Sequence, residues 1–386
     1  MDTGSATPSS LAGRLLLARQ QADLTTREVS QRLKPKVAIS HATIANYEKG
    51  KTVPTIDVLL HLAALYGLEL GWFMTSGPKL SGVQFRKLTS RVKVSEEESY
   101  KAAAQRWLEA YVRLEKHLGG QTRPDWRDVA VGPKDTGETL AVRVRRDLLK
   151  LGDETPVPSV IEVIEERFGV RVLELGTAAR IDGFAAMYGE EPVIVLNPTT
   201  AHDRARLNAG HELGHILFGD CRDGAARNKG GEDRGFEFAV NLLLPTAALH
   251  EAFRGQSMVK LVRYKELFGI SLAAMVYRAE KVSILTKKQA TGLWIEFSKR
   301  GWRQNEPGQV RADRAIRFER LYEEAIADNR LDPMRVSQIM GVREEEMRRR
   351  VEAASGASKQ READEDDDRG DEISDDEDRQ TIQFPR

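Results

Sequence analysis

Two histidines four residues apart interrupt an otherwise apolar stretch, LNAGHELGHILFGD, residues 207–220. In an α-helix, positions i and i+4 share one face, one turn apart. His211 and His215 can therefore aim a ring nitrogen at a single point. Leu207, Ile216, Leu217 and Phe218 make this helix apolar enough to be buried. Polar groups on a buried helix need partners, and a metal ion would supply them. Glu212 lies one step round the helix, within reach of a water held by such an ion. Zinc with three protein ligands keeps a fourth position for water and lowers its pKa to about 7. A neighbouring carboxylate then takes the proton and delivers it to the leaving amine. The pattern is short, and it also fits a helix whose histidines face solvent or buried polar groups. Gly214, between the histidines, permits close approach of a strand or substrate.

The flanking sequence supplies a scaffold. VPSVIEVIEERFG, from Val157, is an amphipathic helix ended by glycine. VRVLEL, GFAAMY and PVIVLN read as strands. PVIVLN is expected at a sheet edge, where an extended peptide could add by main-chain hydrogen bonds. A loop rich in glycine and charge follows the histidine helix. The helix GFEFAVNLLL comes next and ends at Pro245. The chain to about residue 352 reads as helical.

The N-terminal part differs. LAGRLLLARQQADLTTREVSQRL predicts two helices, the second opened by Thr25 with Glu28 three residues on, a capping box. After the turn KPKVAIS, Ser40 caps a third helix, HATIANYEKG, and TVPTIDVLLHLAALYGL adds further helix. Val29, Leu33, Ile39, Ile44, Leu59, Leu62 and Leu65 would share one small core. Residues 76–95 mix Gly, Pro, Ser and charge and read as a linker. EEESYKAAAQRWLEAYVRLEKHL then predicts a long helix.

The 386 residues carry a formal net charge of zero, which hides an asymmetry. From residue 355 onward there are 12 acidic against 5 basic residues and little apolar content. This tail is expected to be disordered, either solubilising or competing with nucleic acid for the basic N-terminal region. A single cysteine, Cys221, excludes an internal disulfide framework. No apolar run is long enough for a membrane span, and residues 1–10 carry no secretory pattern. A cytoplasmic protein with no membrane partner is expected.

Residues 11–75 resemble the Xre/Cro-type helix-turn-helix, on the capped second helix, the I..YE.G pattern and P....L..LA...G. The turn is about four residues longer than usual and contains Pro35. The resemblance implies a double-stranded DNA operator as partner, with the third helix entering the major groove. His41, Thr43 and Asn46 would face outward. Asn46 suits adenine, and Thr43 a thymine methyl. Lys34, Lys36, Lys49 and Lys51 suit phosphates. A palindromic operator would pair two copies, so a homodimer is expected.

The strand, the HELGH helix and EDRGFEFAVNLLLP together resemble the ImmA/IrrE family of zinc peptidases. Phe238, Ala239, Leu242, Leu243 and Pro245 match the close of the family segment. Glu232 matches its first glutamate, seventeen residues after His215. The resemblance implies Zn²⁺ held by His211, His215 and Glu232, with Glu237 as fallback ligand and Glu212 as general base. His250 is a candidate oxyanion donor, and Cys221 reads as a packing residue. Arg234 stands where the family has its second glutamate. Phe236 replaces an Asn or Asp that would orient a histidine, a role open to Asp220 or Asp203.

The expected fold is mainly α with a small β-sheet. A flexible lead (1–10) precedes the helix-turn-helix domain (11–75), then a linker and long helix (76–131). An α+β zincin-like metallopeptidase domain (132–308), a helical module (309–352) and the acidic tail (353–386) follow. The implied function is a DNA-binding transcriptional regulator with a zinc endopeptidase. It would cleave a partner repressor, another regulator or itself, in a stress-response or mobile-element switch. The alternative is a transcription factor or antitoxin whose peptidase-like domain is a non-catalytic sensor or protein-binding module.

Overall fold

The computed structural model describes residues 10–22, 24–68, 70–74, 78–87, 92–120, 123–177, 181–221, 229–255 and 257–340. The acidic tail and nearly all of the lead lie outside them. The chain folds as two compact units.

Of the described residues, one unit contains those within 10–79, 101–122 and 316–340. Its first helices are α1 (Leu11–Gln21), α2 (Thr26–Leu33), α3 (His41–Glu48), α4 (Ile56–Tyr66) and α5 (Leu70–Met74). Local signals set their ends. Thr25 and Glu28 form the reciprocal capping box, Ser40 and Thr55 accept from the first-turn amides of α3 and α4, and Gly67 closes α4 in the left-handed region. Leu15, Val29, Leu33, Ile44, Leu59 and Leu62 fill the core, with Ile39 and Leu65 packed against it. The long helix α6 (Val94–His117) supplies Tyr111 and Glu115, both bound by Arg317 at 2.7 and 2.9 Å. Arg317 opens the helix Arg317–Ala327, and a helix Pro333–Met340 follows it.

The other unit contains the described residues within 80–100 and 123–315. Its sheet has the order β1 (Leu80–Lys87), β3 (Ile181–Tyr188), β4 (Glu191–Leu196), β2 (Arg171–Glu174). β3 is antiparallel to both β1 and β4, and β2 runs parallel to β4.

Two expectations change here. β4, which contains PVIVL, is an interior strand and not an edge; its continuous apolar run is the mark of a strand buried on both faces. Residues 80–87, read as linker, form the edge strand β1. In LSGVQFRK the glycine and the bulge beside it break the alternation after two residues, and the pairing comes from β3.

Helices α7 (Gly137–Arg143) and α8 (Val160–Phe168) lie between β1 and β2, and α9 (His202–Leu217) and α10 (Lys229–Leu243) follow β4. Helices α11 (Thr246–Phe253), α12 (Met258–Phe268), α13 (Leu272–Lys281) and α14 (Lys287–Lys299) complete the unit. One apolar core runs from Leu140 through Ile161, Ile194, Leu213, Phe238 and Leu249 to Phe297. Buried Arg206 ties α9 to Asp313 at 2.9 Å, and Asp313 accepts from the first amide of α8, Val160, at 2.6 Å. The helix that carries the histidines is thus anchored at its start as well as packed along its length.

Candidate metal centre and DNA-reading helix

Along α9 every residue from Arg206 to Leu217 is buried. His211 is 3% exposed, Glu212 1% and His215 0%, so these polar side chains must be satisfied inside the protein. The helical turn brings the two Nε2 atoms to 3.0 Å. Glu232, from the first turn of α10, places Oε2 3.3 Å from His211 Nε2 and Oε1 3.6 Å from His215 Nε2. Among the described residues these three form the one group of histidine, cysteine and carboxylate side chains whose donor atoms all lie within 4.8 Å of one another.

That arrangement fits a zinc ion. Tetrahedral ligands at about 2.0–2.1 Å lie about 3.3 Å from one another. The three separations bracket that value. The donor set, two imidazoles and one carboxylate, is also a common one for catalytic zinc.

Small residues let α10 come so close. A Cβ on Gly214 would stand 3.1 Å from Gly235 Cα, and one on Gly235 would stand 3.2 Å from His215 Nε2. The close approach that Gly214 allows is therefore that of α10, rather than a strand or substrate. A hydrogen at these two positions is what permits Glu232 to reach both rings.

Asp220 holds the second histidine. Its Oδ2 lies 2.9 Å from His215 Nδ1. A carboxylate there accepts the Nδ1 proton and leaves Nε2 with the lone pair a metal requires. Arg234 reaches Asp220 Oδ1 at 3.4 Å while its guanidinium stacks over Phe218. Asp203, the other candidate for this role, pairs with Lys265 at 3.3 Å. Phe236 packs edge-on against Tyr277. The chain thus differs from the resembled pattern at 234 and 236, yet a carboxylate still meets the ring, brought in from the end of α9.

Glu212 Oε2 accepts the Ala185 amide of β3 at 3.0 Å. The Asp182 carbonyl accepts from Asn197 on the β4 side. Backbone groups alternate along a strand, and the β3–β4 register is unbroken. Even-numbered residues of β3 therefore address β4, and odd-numbered ones, Ala185 among them, face β1. The Glu212 carboxylate stands at the seam between β1 and β3.

The remaining site residues of the sequence reading fall elsewhere. Glu237, the fallback ligand, accepts the Gly137 amide at 2.9 Å and so caps α7. It points from a different face of α10, because five residues separate it from Glu232. His250 is exposed on the last turn of α11 and lies outside the grouping of His211, His215 and Glu232. Cys221 is buried in the apolar core. Asp220 is the partner that spacing alone left open; its signal was only its position just after the histidine helix.

In the other unit, His41, Thr43 and Asn46 lie on α3. His41 is exposed, and Thr43 and Asn46 are partly exposed. The Thr43 hydroxyl is engaged with Ser40 Oγ at 2.9 Å. Lys34, Lys36, Lys49 and Lys51 are exposed on either side of the helix. Glu48, buried at its end, takes two bonds from Arg19 at 2.6 and 2.9 Å. That pair fixes α3 against α1. The extended turn is tied down as well, because Ser30 Oγ donates to the Ile39 carbonyl at 2.6 Å.

Five capped or closely packed helices around one core, with a lysine-flanked third helix, define a DNA-binding helix-turn-helix domain. A histidine pair on a buried helix beneath a small sheet defines a domain of the metallopeptidase type. Comparison with known families agrees. Residues 15–73 match the helix-turn-helix family model, and residues 165–280 match that of the IrrE N-terminal-like domain, a peptidase family. The chain carries both. No curated protein matches it. Among the described residues no helix is long and apolar enough to cross a membrane.

Proposed function

We propose that the chain is a DNA-bound regulator with a zinc-dependent endopeptidase that cuts a partner regulator or its own chain. The observation that carries this reading is the convergence of His211, His215 and Glu232 within 4.8 Å, the histidines on buried α9 and the glutamate on the helix packed tightly against it. Those three side chains would hold the ion. When bound, zinc supplies Lewis-acid polarisation of the scissile carbonyl and activates water near neutral pH. Glu212 takes the proton from the attacking water and passes it to the leaving amine. The Ala185 amide keeps the Glu212 carboxylate in one orientation. Asp220 keeps His215 in the tautomer that presents Nε2. α3 reads an operator through Asn46 and Thr43, and Lys34, Lys36, Lys49 and Lys51 meet phosphates. The protein substrate is a repressor or related regulator, in a stress-response or mobile-element switch.

The test is metal content followed by cleavage. Purified protein should hold one zinc per chain, and wild type but not Glu212→Gln should cut a co-encoded regulator or its own chain. Protein that binds an operator yet takes up no stoichiometric zinc would reduce the account to a transcription factor or antitoxin with a non-catalytic sensor domain.

A further inference from the structure

The edge of β3 nearest Glu212 is already filled by β1. The two strands pair antiparallel from Leu80↔Tyr188 and Ser81↔Met187 to Gln84↔Ala185, Phe85↔Phe184 and Arg86↔Gly183. Between Ser81 and Gln84 the register slips by one, so that Gly82 and Val83 together oppose Ala186. Gly82 has φ +63°, and a Cβ there would lie 2.0 Å from the Cys221 carbonyl oxygen. Only glycine meets both demands, a left-handed backbone and this approach to the chain just after Asp220. The bulge therefore carries β1 past the metal helix at the place where Glu212 takes the Ala185 amide.

Three features separate β1 from the rest of the sheet. It lies outside residues 165–280, which match the peptidase-family model and contain β2, β3, β4 and α9. Its pairing is broken twice, at 81/84 and at 86/87, and the Ala185 amide that faces it is given to Glu212. Of its described side chains Leu80 is buried, while Ser81, Val83 and Phe85 are half-exposed, Phe85 lying against Phe184 and Tyr100. By contrast, β3 and β4 are buried almost throughout. A strand whose ladder is interrupted and whose described side chains are mostly half-exposed opens at lower cost than its neighbours.

We infer that β1 is a displaceable internal strand, holding the place on β3 beside Glu212 that an extended peptide must take before it can be cut. The inference rests on the peptidase reading for its purpose, but the exchange of strands stands independently of it. An incoming segment of another protein would pair with β3 by main-chain hydrogen bonds only after β1 leaves. The same chain would then be held closed when no partner competes.

The test locks and releases β1 in the full chain. Ser81 and Met187 are partly exposed, facing residues. Met187 is odd-numbered, so they form a hydrogen-bonded pair, with Cα atoms about 5.5 Å apart in such pairs. That suits a disulfide. Ser81→Cys with Met187→Cys, in a Cys221→Ser background, gives a reversible lock. The probe is a fluorescent peptide of the β1 sequence, KLSGVQFRKL, added to metal-free protein and followed by anisotropy. Reduced protein should bind it, and oxidised protein should not. Gln84→Pro, which removes a ladder amide facing β3, should bind it about fivefold more tightly, the shift expected from one lost hydrogen bond. Equal binding by locked and unlocked protein, or no binding by reduced protein and by Gln84→Pro, would overturn the inference. Because the probe needs no zinc, these results leave the peptidase reading untouched. Absence of cleavage by zinc-loaded protein would count against that reading alone.

Discussion

Replacing Asp220 should weaken zinc binding without removing a ligand. The carboxylate sits 2.9 Å from His215 Nδ1, and the ring it holds is fully buried, while Asp220 itself keeps 19% of its side-chain surface. A buried imidazole without an acceptor at Nδ1 loses its fixed tautomer and its orientation. Loss of such a partner typically costs 10- to 100-fold in metal affinity, or about 1.4–2.7 kcal/mol. Asp220→Ala should fall near the upper end of that range. Asp220→Asn should fall near the lower end, because its amide oxygen can still accept. Arg234→Ala touches the same carboxylate only at 3.4 Å and from a half-exposed position. Its effect should stay under about 1 kcal/mol, as for other screened ion pairs. The assay is a competitive zinc titration against a chromophoric chelator at fixed pH and salt. If Asp220→Ala binds zinc as tightly as wild type while His215→Ala does not, the orienting role of Asp220 is refuted. The ring would then be held by its packing against Gly235 alone.

Other outcomes follow from the same geometry. Gly214→Val should cost about 1–3 kcal/mol in chemical denaturation through overpacking, and should lower zinc occupancy as well, because the new side chain drives α10 and Glu232 away from the rings. Arg278, whose guanidinium burial pushes down to about 10, donates to the Val240 and Leu244 carbonyls, to Asn241 and to Thr246. Arg278→Met should therefore destabilise the peptidase-like unit by at least about 3 kcal/mol, since several buried acceptors lose their donor together; an unchanged melting curve would contradict this. Asn46→Ala combined with Thr43→Ala should abolish preference for one operator in a binding-site selection. Lys49→Ala should instead weaken binding to all sequences and flatten its salt dependence by about one unit of slope.

The histidine pair, the helix caps and the core of the helix-turn-helix domain were legible from spacing. The pair and the caps depend on contacts within one turn of helix, and the core positions on the 3.6-residue repeat of each helix. Thr25 with Glu28, Ser40 before α3 and His211 with His215 are of this kind. Three of the four strands of the small sheet were legible, though not their order. VIVL announced a strand, yet whether it lay at the edge or inside depended on β2, which pairs from the far side. LSGVQFRK announced little, because a strand with a bulge, a glycine and alternating polar residues takes its conformation from the partner it meets.

By itself the sequence determined that two imidazoles share one face of a helix, and that a separate capped-helix domain precedes them. Helical periodicity is local, so no other part of the chain was needed. Tertiary structure alone decided that Glu232 meets the rings while Glu237 caps α7, and that β1 lies along β3 beside Glu212. Each of these joins residues whose approach is set by how closely α10 and β1 can pack. That closeness rests on hydrogens at Gly82, Gly214 and Gly235, whose neighbours are revealed only when the chain is folded.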